Sequence, residues 1–152
     1  MDQHKIENFL KANPGLAFPA CQHLSESQAG MIRNSIAKSV GSPELDGLSI
    51  VKRLYEISVE AGDLQVNDAA FSIGNLIHDL GVKFPESVYL NWYRFNDIDQ
   101  ISLADLDQYF SELWYPGSDD LDIFDDSADW VVSITHYSRV MLFKRPTKQG
   151  SE

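Results

Sequence analysis

Three observations predict an α+β fold, with N-terminal helices packed on a C-terminal antiparallel sheet and one intervening helix. Apolar residues recur at helical spacing through the first half of the chain. After Gly81 the pattern changes to strand-like runs rich in Val, Tyr, Trp and Phe. The last two of those runs face each other across a hairpin turn. Helices first and mostly sheet afterwards is the α+β signature rather than the alternation of a parallel sheet.

The elements follow in order. His4 to Lys11 reads as a short helix stopped by Asn13-Pro14-Gly15. Ser25-Glu26-Ser27-Gln28 is a capping box, opening a helix to about Val40 that ends at Gly41-Ser42-Pro43. A longer helix is expected from Pro43 to about Ala61. On it Leu48, Val51, Leu54, Tyr55, Ile57 and Val59 cover most of the circumference, so it should be largely buried. Asn67 or Asp68 is the expected cap of the next helix, carrying Ala69, Ile73, Leu76, Ile77 and Leu80, and Gly81 is its left-handed stop. Ser87 to Phe95 reads as a strand, Ser102 to Trp114 as a helix, and Leu121 to Phe124 as a short strand. Asp129 to Thr135 and Arg139 to Arg145 form the hairpin, turning near His136-Tyr137-Ser138. The polar end, residues 146–152, should fray.

At 152 residues, with 43% apolar and 11% aromatic residues, one domain with a real core is expected over 1–152. The longest apolar run, Val140 to Phe143, is far short of the roughly 20 residues that span a bilayer. Met1-Asp2-Gln3-His4-Lys5 leads into no apolar stretch, so no secretion signal is read there. The single cysteine, Cys21, has no partner for an internal disulfide, which places the chain in a reducing cytoplasm.

The charge is unevenly distributed. Net charge is −11, from 12 basic and 23 acidic residues. Between Arg94 and Arg139 there is no lysine or arginine, yet that interval holds 11 of the acids: Asp97, Asp99, Asp105, Asp107, Glu112, Asp119, Asp120, Asp122, Asp125, Asp126 and Asp129. The remainder is formally neutral. Nucleic acid is disfavoured as a ligand, because phosphate needs clustered bases. A basic protein is favoured, because a one-signed patch steers the opposite sign. The alternative is plain solvation and local capping: Ser102 with Asp105 resembles a capping box, Asp107 lies in the first helical turns, and Asp119 and Asp120 suit a turn after Pro116-Gly117.

Other chemistry finds little footing in the residues present. No EF-hand fits: position 5 is Phe124 when the loop starts at Asp120 and Ile101 when it starts at Asp97. Asp120-Leu121-Asp122 resembles the acid-x-acid pattern of sugar transferases, but no βαβ unit with a glycine-rich loop accompanies it. His78-Asp79 lacks the further ligands of a metal phosphohydrolase and reads as surface. Cys21 and His23 alternate without a third orienting group, so a lone half-buried thiol is expected. Trp114 and Trp130 have core alternation. Tyr109 and Tyr115 flank the acidic helix face, and aromatics rimmed by carboxylates suit a basic partner.

The run from Val88 to Phe143 resembles immunity proteins of bacterial polymorphic-toxin and contact-dependent inhibition systems. The features are Tyr89-Leu90-Asn91-Trp92, an acid-rich helix ending in Leu113-Trp114-Tyr115-Pro116, then Ser118-Asp119-Asp120, Ile123-Phe124-Asp125 and Asp129-Trp130. The resemblance implies a small, cytoplasmic, non-catalytic protein that caps a cognate toxin, frequently a basic nuclease; it carries over no residue.

The expectation is therefore a non-enzymatic acidic binding protein that neutralises a basic protein partner, with no cofactor, metal, nucleic acid or membrane involved. The partner-facing residues are expected to be Asp97, Asp99, Asp105, Tyr109, Glu112, Tyr115, Asp119, Asp120, Asp122, Asp125 and Asp126, emerging together as one continuous anionic face. Reversing Asp119, Asp120 and Asp122 together should then slow association without unfolding the chain. A metal-dependent hydrolase built on Asp119–Asp126, or a regulatory adaptor domain, are the alternatives.

Overall fold

Two caps read from sequence, Ser25 and Ser102, set helix starts in the computed structural model, which describes residues 1–62 and 64–146. Helix α1 (Gln3–Ala12) begins where the Asp2 carboxylate accepts from His4 N–H. A three-residue strand β1 (Cys21–His23) precedes α2 (Glu26–Val40), whose start carries both reciprocal bonds of the Ser25/Gln28 capping box. Gly41 ends α2 in the left-handed region, at φ +70°.

Helix α3 (Gly47–Ile57) departs from expectation at both ends. It starts after Asp46, whose side chain accepts from Ser49 N–H, and stops at Ser58, whose backbone is extended. Val59 and Glu60 are then free to pair as strand β2 (Val59–Glu60) with the far edge of the sheet. Because only one face of α3 meets the sheet, Ile50 and Leu54 are buried while Leu48, Tyr55 and Val59 are exposed, contrary to the largely buried helix expected. Helix α4 (Ile73–Asp79) is capped by Ser72, not by Asn67 or Asp68; Asp68 instead accepts from Ala70 N–H in the preceding turn. Gly81 follows at φ +72°.

The sheet comprises β1 and β2 with β3 (Ser87–Tyr93), β4 (Asp97–Ser102), β5 (Leu121–Phe124), β6 (Trp130–Ile134) and β7 (Val140–Lys144). Helix α5 (Leu103–Leu113) lies between β4 and β5, capped by Ser102, which accepts from Asp105 N–H. The seven strands run β1-β4-β3-β5-β6-β7-β2, all antiparallel. The fold is α+β, with four of the five helices preceding the main strands β3 to β7. Pro146 is exposed; the rest of the end expected to fray, from residue 147 on, lies outside the described residues.

Strand alternation divides the apolar residues into two cores on opposite faces of this sheet. Val88, Leu90, Ile101, Leu121, Ile123, Trp130, Val132 and Val140 pack with α4 and α5 on one face. Phe124, Val131 and Phe143 pack with α2 and α3 on the other, joined by Phe95 and Ile98. Burial on both faces explains why β5 to β7 read as nearly unbroken apolar runs. Asn91 in β3, Asp122 in β5 and Ser133 in β6 interrupt the apolar pattern in register with one another.

Candidate functional site

Helix α1 occupies much of the surface that sequence reasoning reserved for a partner. Phe9 packs edge-on against Tyr109, 5.1 Å between centroids, and Asn13 Nδ2 donates to Glu112 at 2.6 Å. Asn8 Nδ2 donates to the Tyr115 hydroxyl. Lys5, only 5% exposed, places its ammonium between the Trp92 and Tyr115 rings, 4.3 and 4.4 Å from their centroids. It donates to Leu113 O at 2.5 Å and pairs with Asp119, which also accepts from Tyr115 N–H and so closes the turn after Pro116-Gly117. Tyr109, Glu112, Tyr115 and Asp119 are thus corrected from partner contacts to the seat of α1. About a hundred residues separate the two sides of this contact, beyond the reach of any local pattern.

Asp99 is a second correction. Buried completely on the α5 face of the sheet, it accepts from Trp92 Nε1 at 2.9 Å, lies 3.0 Å from His23 Nδ1 and pairs with the Met1 ammonium at 2.6 Å. His23, Asp97 and Asp99 bring ligand atoms within 4.8 Å of one another. Three hydrogen-bond partners already hold the Asp99 oxygens, and no further observation here points to an ion. Beside them Cys21 stays a thiol: burial, followed by the Asp99 charge, pushes it up to about 11, which removes the thiolate needed of a nucleophile.

The anionic face is therefore not continuous. Asp107 accepts from Ser72 Oγ and Gly74 N–H, tying α5 to α4. Asp125 accepts from Ser127, and Asp126 from the Tyr89 hydroxyl, which burial and that bond together push up to about 12. Asp105 is half-buried at the start of α5. Asp119 to Asp126 point to different partners and do not converge as a metal site would. What remains open is a rim: Asp97 and Asp120, with side chains 52% and 66% exposed, line a hollow of about 440 Å³ that Asp2, His23 and the paired cations Lys5 and Met1 also border. His78 lies exposed, as expected.

Asp120 also borders a cleft of about 340 Å³ between α3 and the β6–β7 hairpin. Its Oδ1 accepts from His136 N–H and lies 2.8 Å from His136 Nδ1, bracing the hairpin turn against the start of β5. Val51, Leu54 and Met141 give the cleft apolar walls, and Tyr55 and Tyr137, 56% and 76% exposed, stand at its mouth. A polar ladder crosses three strands into it: Asn91 pairs in register with Asp122, and Asp122 with Ser133. Asn91 Nδ2 and Ser133 Oγ each donate to one Asp122 oxygen, at 2.8 and 2.6 Å. Asn91 itself receives Phe95 N–H, fixing the β3–β4 turn. Sequence reasoning missed Asn91, Ser133 and Tyr55. The legible signal was three polar residues sharing one strand phase.

Asp122 is half-buried and, among the described residues, has no cationic partner. Burial raises its carboxyl above the ordinary value, Ser133 and Asn91 pull it back, and Asp120 pushes it further up. A folded value above the unfolded one means that ionisation opposes folding: the group's contribution is intact below about 3.8 and is lost as pH rises through the folded value. Asp122→Asn should therefore be more stable than the parent at pH 7, with the difference vanishing near pH 3; urea midpoints at the two pH values measure it. The reverse pH trend would contradict this account.

No family model, curated protein or solved structure matches the chain. Among the described residues, no helix is long and apolar enough to cross a membrane.

Proposed function

We propose that the chain is a non-catalytic acidic binding protein that neutralises a basic protein, acting in the cytoplasm as an immunity protein against a cognate bacterial toxin of the nuclease type. The observation that carries this reading is the rim of Asp97 and Asp120. Among the described residues these exposed carboxylates meet histidines but no lysine or arginine, and they flank an open hollow in a chain of net charge −11. Charge there guides the approach of the partner, and the exposed Tyr55 and Tyr137 beside it offer the aromatic contact that holds a complex together. The free Cys21 thiol suits a reducing compartment. A regulatory adaptor would need the same surface; a toxin gene adjacent to this one separates the two, because toxin and antidote are inherited together.

The test cannot use the triple reversal of Asp119, Asp120 and Asp122, since Asp119 holds Lys5 and Asp122 sits in the sheet ladder. Asp97→Lys with Asp120→Lys spares both; it does remove the Asp120 bonds to His136, so its Tm is compared with the parent's before the rates are read. Against the product of the adjacent gene, stopped-flow association of this variant should slow about tenfold at low salt, while the parent slows as ionic strength rises. Equal rates for variant and parent would remove the mechanism.

A further inference from the structure

We propose that the cleft between α3 and the β6–β7 hairpin receives one arginine side chain of the basic partner, its guanidinium lying on the Asp122 carboxylate and its stem against Val51, Leu54 and Met141. This deepens the reading above and rests on it. The argument is complementarity. The walls are apolar and suit a methylene stem, while the inner end carries a carboxylate whose two oxygens each accept only one hydrogen bond. Ionised carboxylates accept about four, so two acceptor positions remain, the number a guanidinium edge fills in bidentate contact. Arg139, which also lines the cleft, is neutralised by a two-pronged pair with Glu60, at 2.8 and 2.7 Å. Asp120, with its Oδ1 on His136, adds a second negative charge at the edge of the cleft.

The dimensions agree. About 340 Å³ is at the lower end of small-ligand sites, so it accommodates one long side chain and not a helix. Arginine fits better than lysine because its planar, weakly hydrated fork matches the two open acceptor positions of the carboxylate, where an ammonium offers only a point charge. The cleft shares Asp120 with the anionic rim, so a chain steered to the rim arrives beside it.

The experiment is a titration of the whole chain with N-acetyl-arginine methylamide, followed by amide shifts in ¹H–¹⁵N spectra. The isosteric citrulline compound and the lysine compound serve as comparators. Saturable shifts confined to α3, β5 and the β6–β7 hairpin are expected, with citrulline at least tenfold weaker and lysine intermediate. Asp122→Asn should abolish the preference for arginine over citrulline while leaving amide shifts outside the cleft unchanged. Val51→Phe, which fills the cleft without touching the ladder, should abolish all binding. Equal affinity for arginine and citrulline, shifts elsewhere, or undiminished binding to Val51→Phe would overturn the proposal. If the toxin associates with Asp122→Asn as with the parent but loses affinity for the Asp97/Asp120 reversal, the cleft assignment falls and the binding reading stands.

Discussion

Replacing Asp119 with alanine is expected to lower stability by about 3–5 kcal/mol, because it leaves the Lys5 ammonium buried without its counter-charge. In a chain of this size that is roughly a 10 °C fall in Tm. Lys5 is 5% exposed and held between two rings and the Leu113 carbonyl, so it reaches water only by giving up those contacts. The same substitution orphans Tyr115 N–H, which Asp119 also accepts, and so loosens the turn before β5. Lys5→Met should cost less, since its loss leaves Asp119 bonded to Tyr115 and partly in contact with water. The double variant should be more stable than Asp119→Ala alone, because it has no buried charge left to orphan. Urea unfolding of the three variants provides the cycle. Strictly additive losses would show that the two residues are not coupled and that α1 is held by its apolar contacts alone.

Gly47→Ala should destabilise the fold and shift α3. Helix propensity by itself gives the opposite sign, since alanine is favoured over glycine by up to about 1 kcal/mol inside a helix. Sterics decide the matter: a Cβ at Gly47 would lie 1.7 Å from the Arg94 carbonyl oxygen and 2.7 Å from its carbon, both backbone atoms. The β3–β4 turn cannot retreat. Arg94 and Phe95 are already in left-handed backbone, at φ +47° and +56°, and Phe95 is fully buried with its N–H on Asn91. The start of α3 must move instead, at a cost of about 1–3 kcal/mol or more. Because α3 forms one wall of the Asp122 cleft, the shift should also weaken the arginine-amide titration. A Gly47→Ala variant with parental Tm would mean that α3 does not approach the turn this closely.

The elements legible in advance were those whose signals are local. A serine oxygen satisfies an N–H three residues on, so Ser25 and Ser102 mark helix starts wherever the chain folds. Glycine reaches positive φ at little cost, so Gly41 and Gly81 mark stops. Strands β5 to β7 were legible because both faces are buried and their neighbours lie close in sequence. Strands β1 and β2 were not: two or three residues carry no period, and they exist only because distant edge partners complete their hydrogen bonds. Strand β4 was hidden by its own acids, Asp97 and Asp99, one exposed and one in the core.

The sequence by itself determined the α+β class, the capped helix starts and the concentration of charge in one stretch of chain, since each depends on residue identity and short spacing. Where those charges point was decided by tertiary structure alone. A carboxylate's fate depends on which donor folding brings within 3 Å of it, and for Asp99, Asp119 and Asp122 that donor comes from another strand or helix. What looked like one acidic face is therefore a seat for α1, a buried node and a ladder, leaving Asp97, Asp120 and the cleft beside them to meet a partner.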